Sequence, residues 1–243
     1  MKRTIFVLHP SIRARAYLQR ACINGLKPGK VIRLGSDADD VASRAWTSPA
    51  DRSFDPQESL RETIRRFDLN EVHVEDPDVN SESLCAAVRA VDPDLVVFTG
   101  GGVLQPATLA SAPAWLHVHP GRLPDRRGST CIHYGLLLDG AVEASAMIMR
   151  AGLDEGPVIC TRRFEASTQW SAEGLDHVDD AWIRSSVLVD ALAHWRDVVP
   201  RQQTGTPRTF FVIHPVLKHF ALGLLEETNP RARRVDHLEA ISS

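Results

Sequence analysis

The stretch AWLHVHPGRLPDRRGST, residues 113–129, places two histidines one residue apart at the end of an apolar run. Successive side chains of a strand point to opposite faces, so His117 and His119 share one face. Two imidazoles there can ligate a metal, with a carboxylate such as Asp154 as a further donor. They can equally do acid/base work, because a histidine near its ordinary pKa shuttles a proton or donates to a developing negative oxygen. Two satisfied polar residues at a strand end are the bland alternative. Acid/base work needs a carboxylate to orient or charge the ring, and AGLDEGPVI (151–159) holds Asp154 in a glycine-flanked turn where backbone can approach a ligand. On that stretch alone an ordinary turn aspartate reads equally well. DLVVFTGGG (94–102) ends a buried-looking strand in three glycines, which either admit a flat ligand to backbone amides or form a flexible turn. It is no dinucleotide fingerprint: no third glycine follows Gly100-x-Gly102 at the required place, and no GxxxxGK[ST] loop occurs in the chain.

The elements that must position these groups follow from the apolar pattern. TIFVLHP (4–10), KVIRLGS (30–36), EVHVED (71–76) and DLVVFTGGG read as strands, the longer ones apolar enough to be buried on both faces. Between them lie helical patterns: residues 11–26 with Ser11 as N-cap and Gly25 as stop, residues 56–69 with Pro56 in the first turn, and residues 81–93. Residues 37–56 are polar, hold Pro49 and Pro56, and read as a loop with a short helix. Beyond the histidine strand come a helix over STCIHYGLLLDG, a strand over ASAMIMRAG and an extended run over GPVICTRRFE. A long amphipathic helical region spans Ser171–Val199, followed by an extended TFFVIHP and a helix over VLKHFALGLLEE. Strands alternating with helices imply an α/β fold with a mostly parallel twisted sheet flanked by helices. Ligands of such sheets bind beyond the carboxyl ends of the strands. Gly100–Gly102 and His117/His119 both fall there, so one cleft is expected to collect them.

With 243 residues, 43% of them hydrophobic and 24% charged, the chain can bury a full core without staples. A net charge of −3 leaves no footprint for nucleic acid or an anionic membrane. Cys22, Cys85, Cys131 and Cys160 form no CxxC pair, so neither a thiol redox motif nor a zinc ribbon is supported, and free thiols of a reducing cytoplasm are expected. No signal-peptide pattern and no membrane-length apolar run is present. The expected division is a core of residues 1–165 and a helical and extended C-terminal segment of 166–243 packed on it.

Taken together, PDLVVFTGGGVL, LHVHPGRLPDRRGST and GLDEGPVI resemble the folate-dependent formyltransferase superfamily. Its members include glycinamide ribonucleotide, methionyl-tRNA and sugar N-formyltransferases and formyltetrahydrofolate hydrolase. The pieces over residues 93–160 are similar, in order and spacing, to the family's Asn-x-His-Pro-Ser-x-Leu-Pro loop, Arg-Gly step and Leu-Asp-x-Gly-Pro turn. The resemblance implies a Rossmann-like core with a short C-terminal appendage, and 10-formyltetrahydrofolate as formyl donor. It implies His119 as catalytic histidine and Asp154 as catalytic aspartate, with His117 standing where the family has the asparagine that polarises the formyl oxygen. An imidazole N–H can still donate to an oxyanion, and an imidazolium would do so more strongly. The donor would lie between the 99–104 loop (Thr99, Gly100, Gly101, Gly102, Val103, Leu104) and the 151–156 loop (Gly152, Leu153, Glu155). Pro120, Gly121, Arg127, Gly128 and Thr130 would face the acceptor. In the implied mechanism an amine attacks the formyl carbon, an oxyanion forms between His119 and His117, and Asp154 keeps His119 charged and helps move the proton.

The acceptor implied is a small-molecule amine, an amino-sugar nucleotide or an amino-acid-derived amine. LHPSIRARAY replaces the Gly-Ser-rich turn of glycinamide ribonucleotide formyltransferases, and residues 166–243 are shorter than the C-terminal domain of methionyl-tRNA formyltransferases and carry no basic tRNA signature. No counterpart of the regulatory domain of formyltetrahydrofolate hydrolases is expected. The C-terminal region is expected to shape the acceptor pocket or a homodimer contact, with no nucleic-acid or membrane partner. A metal-dependent hydrolase using His117, His119 and Asp154, and a folate-binding protein altered in catalysis, are the other classes these residues admit.

Overall fold

A computed structural model describes residues 3–36, 38, 40, 53–166, 170 and 172–228; most of the polar loop expected at 37–56 lies outside them. Five strands, β1 (Thr4–Leu8), β2 (Lys30–Leu34), β3 (Glu71–Val74), β4 (Leu95–Phe98) and β5 (Trp115–His119), run parallel in the order β3-β2-β1-β4-β5. The crossovers are α1 (Ile12–Ile23), α2 (Leu60–Arg66), α3 (Glu82–Val91) and α4 (Pro106–Leu109). Their apolar residues cover both faces. Phe6, Leu8, Leu116 and Val118 pack in one layer, whereas Ile5, Val7, Val96, Phe98 and Trp115 pack in the other. Strands buried on both sides read as unbroken apolar runs, which is how they stood out in the sequence.

After β5 come β6 (Arg127–Gly128), α5 (Cys131–Asp139), β7 (Ala141–Ile148) and β8 (Val158–Glu165). The strands β7 and β8 extend the sheet antiparallel, with His117 opposite Met147 and His119 opposite Ser145. The long helical region expected at 171–199 is two helices, α6 (Ala172–Asp176) and α7 (Val178–His194), parted at His177, whose φ of −130° and ψ of −79° are not helical. The two-residue β9 (Thr209–Phe210) pairs parallel with β6, and α8 (Pro215–Thr228) ends the described chain. Helix α2 starts later than Pro56 implied. Ser59 and Glu62 close a capping box, so the first turn forms there and Pro56 stays outside. Ser11 caps α1 as expected, accepting from the Ala14 N–H at 3.1 Å.

Ile183, Val187, Leu188 and Ala191 of α7 and Ala221 and Leu225 of α8 belong to the same buried cluster as β1 and β5. Among the described residues no helix is long and apolar enough to cross a membrane, and all four cysteines are free. The strand order reverses direction between β1 and β4, so a crevice opens at their carboxyl ends, beside the end of β5.

Candidate active site

His119 is the last residue of β5 and 2% exposed. Its Nε2 lies 2.8 Å from the Arg126 carbonyl oxygen. A carbonyl only accepts, so Nε2 carries the proton. Arg126 is fixed by Glu143 at 2.7 Å and by Asp139, which holds its carbonyl under the ring. The close approach requires Gly121: a Cβ there would sit 2.9 Å from His119 Nε2 and 3.0 Å from that carbonyl oxygen.

Asp154 lies in the turn joining β7 to β8, in the left-handed region at φ +52°. Its Oδ2 accepts from the Gly128 N–H at 2.8 Å and stands 3.4 Å from His119 Nδ1. Gln203 clamps the turn from below, donating from Nε2 to the carbonyls of Asp154 and Gly156, each at 2.7 Å. Gly128 has φ +96° and lies so close to the Phe210 carbonyl in the β6–β9 pair that a Cβ would collide with it. The two residues that the sequence separates by most of two strands and a helix are thus neighbours.

The imidazole of His119 therefore faces an acceptor at each nitrogen. With Nε2 protonated, the neutral ring presents a lone pair to the Asp154 carboxylate, and a proton arriving at Nδ1 satisfies both. Burial pushes the His119 pKa below the ordinary value, while the Asp154 charge and the Arg126 carbonyl pull it up. Nδ1, beside Oδ2 of Asp154, is thus the ring nitrogen left to receive a proton.

His117, half-buried two residues earlier on the same face, meets a different partner. Its Nε2 lies 3.2 Å from Nη2 of Arg184, so the ring accepts from the guanidinium. Burial and then the positive charges of Arg184 and Arg13 hold its pKa well below the ordinary 6.5, with the Phe98 backbone pulling weakly the other way. These neighbours favour the neutral ring, and its Nε2 is an acceptor. The cation beside it is Arg184, 4% exposed, whose Nη1 stands 3.4 Å from Asp180.

A cavity of about 430 Å³ opens in front of these groups. One wall is the Gly100–Leu104 loop and another the Gly152–Asp154 turn, with Met147, Met149 and Phe210 between them. Gly100 has no room for a side chain, because a Cβ would lie 2.6 Å from the Phe98 ring, whereas the space around Gly102 is open. Of the residues singled out in the sequence, His117, His119, Asp154, Gly100, Gly101, Gly102, Val103, Leu104, Gly152, Leu153, Pro120 and Gly128 line this cavity. The other five, Thr99, Gly121, Arg127, Thr130 and Glu155, do not line it. Thr99 is buried, its hydroxyl donating to the Val7 carbonyl and accepting from the His9 N–H. Arg127 pairs with Glu155 at 3.3 Å and bonds Gln203, Gly121 backs His119, and the Thr130 hydroxyl accepts from the Ile213 N–H at 2.9 Å. Sequence reasoning missed Arg13, Arg184 and Gln203. Only Arg13, an arginine in a first helical turn that holds no acid, left a signal.

A metal would need a different donor set. His119 Nε2 and His117 Nε2 are both engaged by protein partners, and among the described residues no three His, Cys, Asp or Glu side chains converge.

A family model described as formyl transferase matches residues 17–182. The methionyl-tRNA formyltransferase of Jannaschia sp. strain CCS1 is 29% identical over 128 residues, which cover 51% of this chain and 42% of that protein. The chain spans less than half the length of the curated relatives it matches. Among solved structures, a 4-N formyltransferase from Francisella tularensis superposes with a TM-score of 0.59 at 12% identity, covering 94% of this chain and 89% of that one. Glycinamide ribonucleotide transformylase 1 from Symbiobacterium toebii superposes with a TM-score of 0.56 at 21% identity, covering 84% and 94%. At these identities the superpositions speak for the fold.

Proposed function

Because this chain belongs to the formyl transferase family, we propose that it moves a formyl group from 10-formyltetrahydrofolate to the amine of a small molecule, with His119 and Asp154 as its catalytic pair. The observation that carries this reading is the 3.4 Å approach of His119 Nδ1 to Asp154 Oδ2 at the wall of a cavity of about 430 Å³. That volume falls within the ordinary range of small-molecule sites.

The residues present suit a flat heterocyclic donor. Around Gly101 a Cβ would meet only the tip of Arg13, and around Gly102 nothing within 4 Å, so backbone amides are open to a ligand on this side. Gly152 and Leu153 face them across the cavity. When bound, 10-formyltetrahydrofolate supplies a formyl carbonyl on a nitrogen that can leave. His119 takes the proton of the attacking amine at Nδ1 and returns it to the leaving folate nitrogen as the old C–N bond breaks, while its Nε2–H stays on the Arg126 carbonyl and keeps the ring from turning. Asp154, fixed by the Gly128 N–H, stabilises the imidazolium so formed. His117 cannot offer Nε2 as a donor, because it accepts there from Arg184. The donor at that wall is the guanidinium of Arg184 and not the imidazole.

The acceptor, an amino-sugar nucleotide or an amino-acid-derived amine, enters the same cavity. The protein works in the cytoplasm, a placement favoured by four free thiols, and any self-association is as a homodimer. The test is to incubate the protein with 10-formyltetrahydrofolate and a panel of amines and to follow tetrahydrofolate release and formylated product. Release that requires an amine and yields its N-formyl derivative supports the reading. Release that proceeds equally without amine means hydrolysis and refutes it.

A further inference from the structure

The cavity wall beside His117 carries more positive charge than proton transfer requires. Arg13, in the first turn of α1, donates from Nε to the Thr99 carbonyl at 2.7 Å, which fixes the guanidinium with Nη2 beside Gly101. Among the described residues no carboxylate pairs with Arg13 or with Arg150, which also lines the cavity. Arg184 comes from α7 to the same wall, where Nη1 stands 3.4 Å from Asp180, Nη2 donates to His117 and Tyr17 lies close by. Among the described residues Asp154 is the one carboxylate on the cavity lining, and it is turned to His119 and the Gly128 N–H. Burial and the like charge of Arg184 lower the Arg13 pKa to about 10, which still leaves it a cation at neutral pH. Two guanidinia that line one cavity and feel each other's charge, one of them at a helix N-terminus whose dipole repels it, are unfavourable when empty. An oxyanion between them relieves that repulsion and takes paired N–H bonds in the geometry guanidinium groups favour.

We propose that Arg13 and Arg184 form an anion subsite that selects acceptors carrying a carboxylate or phosphate close to the amine. The inference rests on the formyl-transfer reading and sharpens it. Arg184 Nη2 is 3.2 Å from His117, and His117 and His119 are two residues apart on one strand, roughly 7 Å along it. The anion and the reacting nitrogen are therefore separated by only a few bonds. The acceptor is an amino acid or a phosphorylated amine, not a neutral amine.

The experiment pairs small amines that differ only in charge, an amino acid with its carboxamide and an amino-sugar phosphate with the free amino sugar. It is run with wild type, Arg13→Gln and Arg13→Lys, and binding of 5-formyltetrahydrofolate is measured by calorimetry in parallel. Wild type is expected to favour the charged member of at least one pair by roughly 100-fold in kcat/KM. Arg13→Gln is expected to raise the KM of that acceptor and bring the preference to roughly tenfold or less, with Arg13→Lys between the two and folate affinity unchanged in both. Equal or better use of the neutral amines overturns the inference while leaving formyl transfer standing. So does an Arg13→Gln variant that loses folate affinity and keeps the acceptor preference, since the anion is then one of the folate's own carboxylates. If wild type binds no folate and formylates no amine, the transfer reading itself has failed. The subsite is then decided by calorimetry with inorganic phosphate and acetate: binding to wild type and not to Arg13→Gln sustains it, and no difference overturns it.

Discussion

His117 sits among positive charges, and that has a consequence for stability. In the unfolded chain its pKa is the ordinary 6.5, and in the folded protein it is well below. As the pH falls from 6.5 the unfolded chain takes up a proton that the folded one refuses, so stability drops until the folded pKa is reached. From this residue alone the loss between pH 6.5 and 5.5 is about 1 kcal/mol. His119 and His133 are lowered as well, so they steepen the same acid limb. Denaturant unfolding of wild type and His117→Asn across this range is expected to show a shallower pH slope in the variant; identical slopes would mean that His117 titrates normally. The histidine pair, its shared face and Asp154 were legible in the sequence because strand alternation and a Gly-flanked turn are local signals. The charge state of His117 was not, because Arg184 lies 67 residues away on a helix whose pattern reads as ordinary amphipathic surface.

At the scale of elements, the site depends on how closely backbones pass one another. β5 ends in His119, the chain turns back through Gly121, and the Arg126 carbonyl returns to the ring, while α5 presses Cys131 against the turn. Gly121→Ala would place a Cβ 2.9 Å from both His119 Nε2 and Cys131 Cβ. Overpacking of this kind is expected to lower stability by about 1–3 kcal/mol and to displace the imidazole from its carbonyl. Turnover should then fall at least about tenfold, because misplacing a reacting group by a fraction of an ångström is enough to slow it severely. Chemical denaturation together with kcat measurement checks this, and a variant with wild-type midpoint and wild-type kcat would show that the loop has slack. The strands and most helices were readable from apolar runs and caps such as Ser11. The antiparallel β7–β8 extension and the β6–β9 pair were not, since pairing direction and two-residue contacts leave no periodicity to read.

For the whole molecule, α7 decides whether residues beyond the sheet are an accessory or part of one folding unit. Leu188 is fully buried in the cluster that also contains Phe6, Leu116 and Val118. Arg20 of α1 donates to the Trp182 carbonyl and to Ser186 of α7 at 2.9 and 2.6 Å, which ties the two helices together. Leu188→Ala is expected to destabilise the protein by about 2–5 kcal/mol and to leave a single unfolding transition. Two separated transitions, with the sheet unfolding at its wild-type midpoint, would contradict a shared core. The helix was visible in the sequence as an amphipathic region, but its break at His177 and its delivery of Arg184 to the site depend on tertiary packing.

The central claim is that His119, paired with Asp154, moves the proton in formyl transfer. It is tested most directly by single-turnover measurement of N-formyl product with a competent amine, comparing wild type with a His119→Ala protein shown to be folded and to bind 5-formyltetrahydrofolate. The account predicts a loss of at least about 100-fold in the transfer step with donor affinity largely kept. A His119→Ala protein that forms product at the wild-type rate would contradict it.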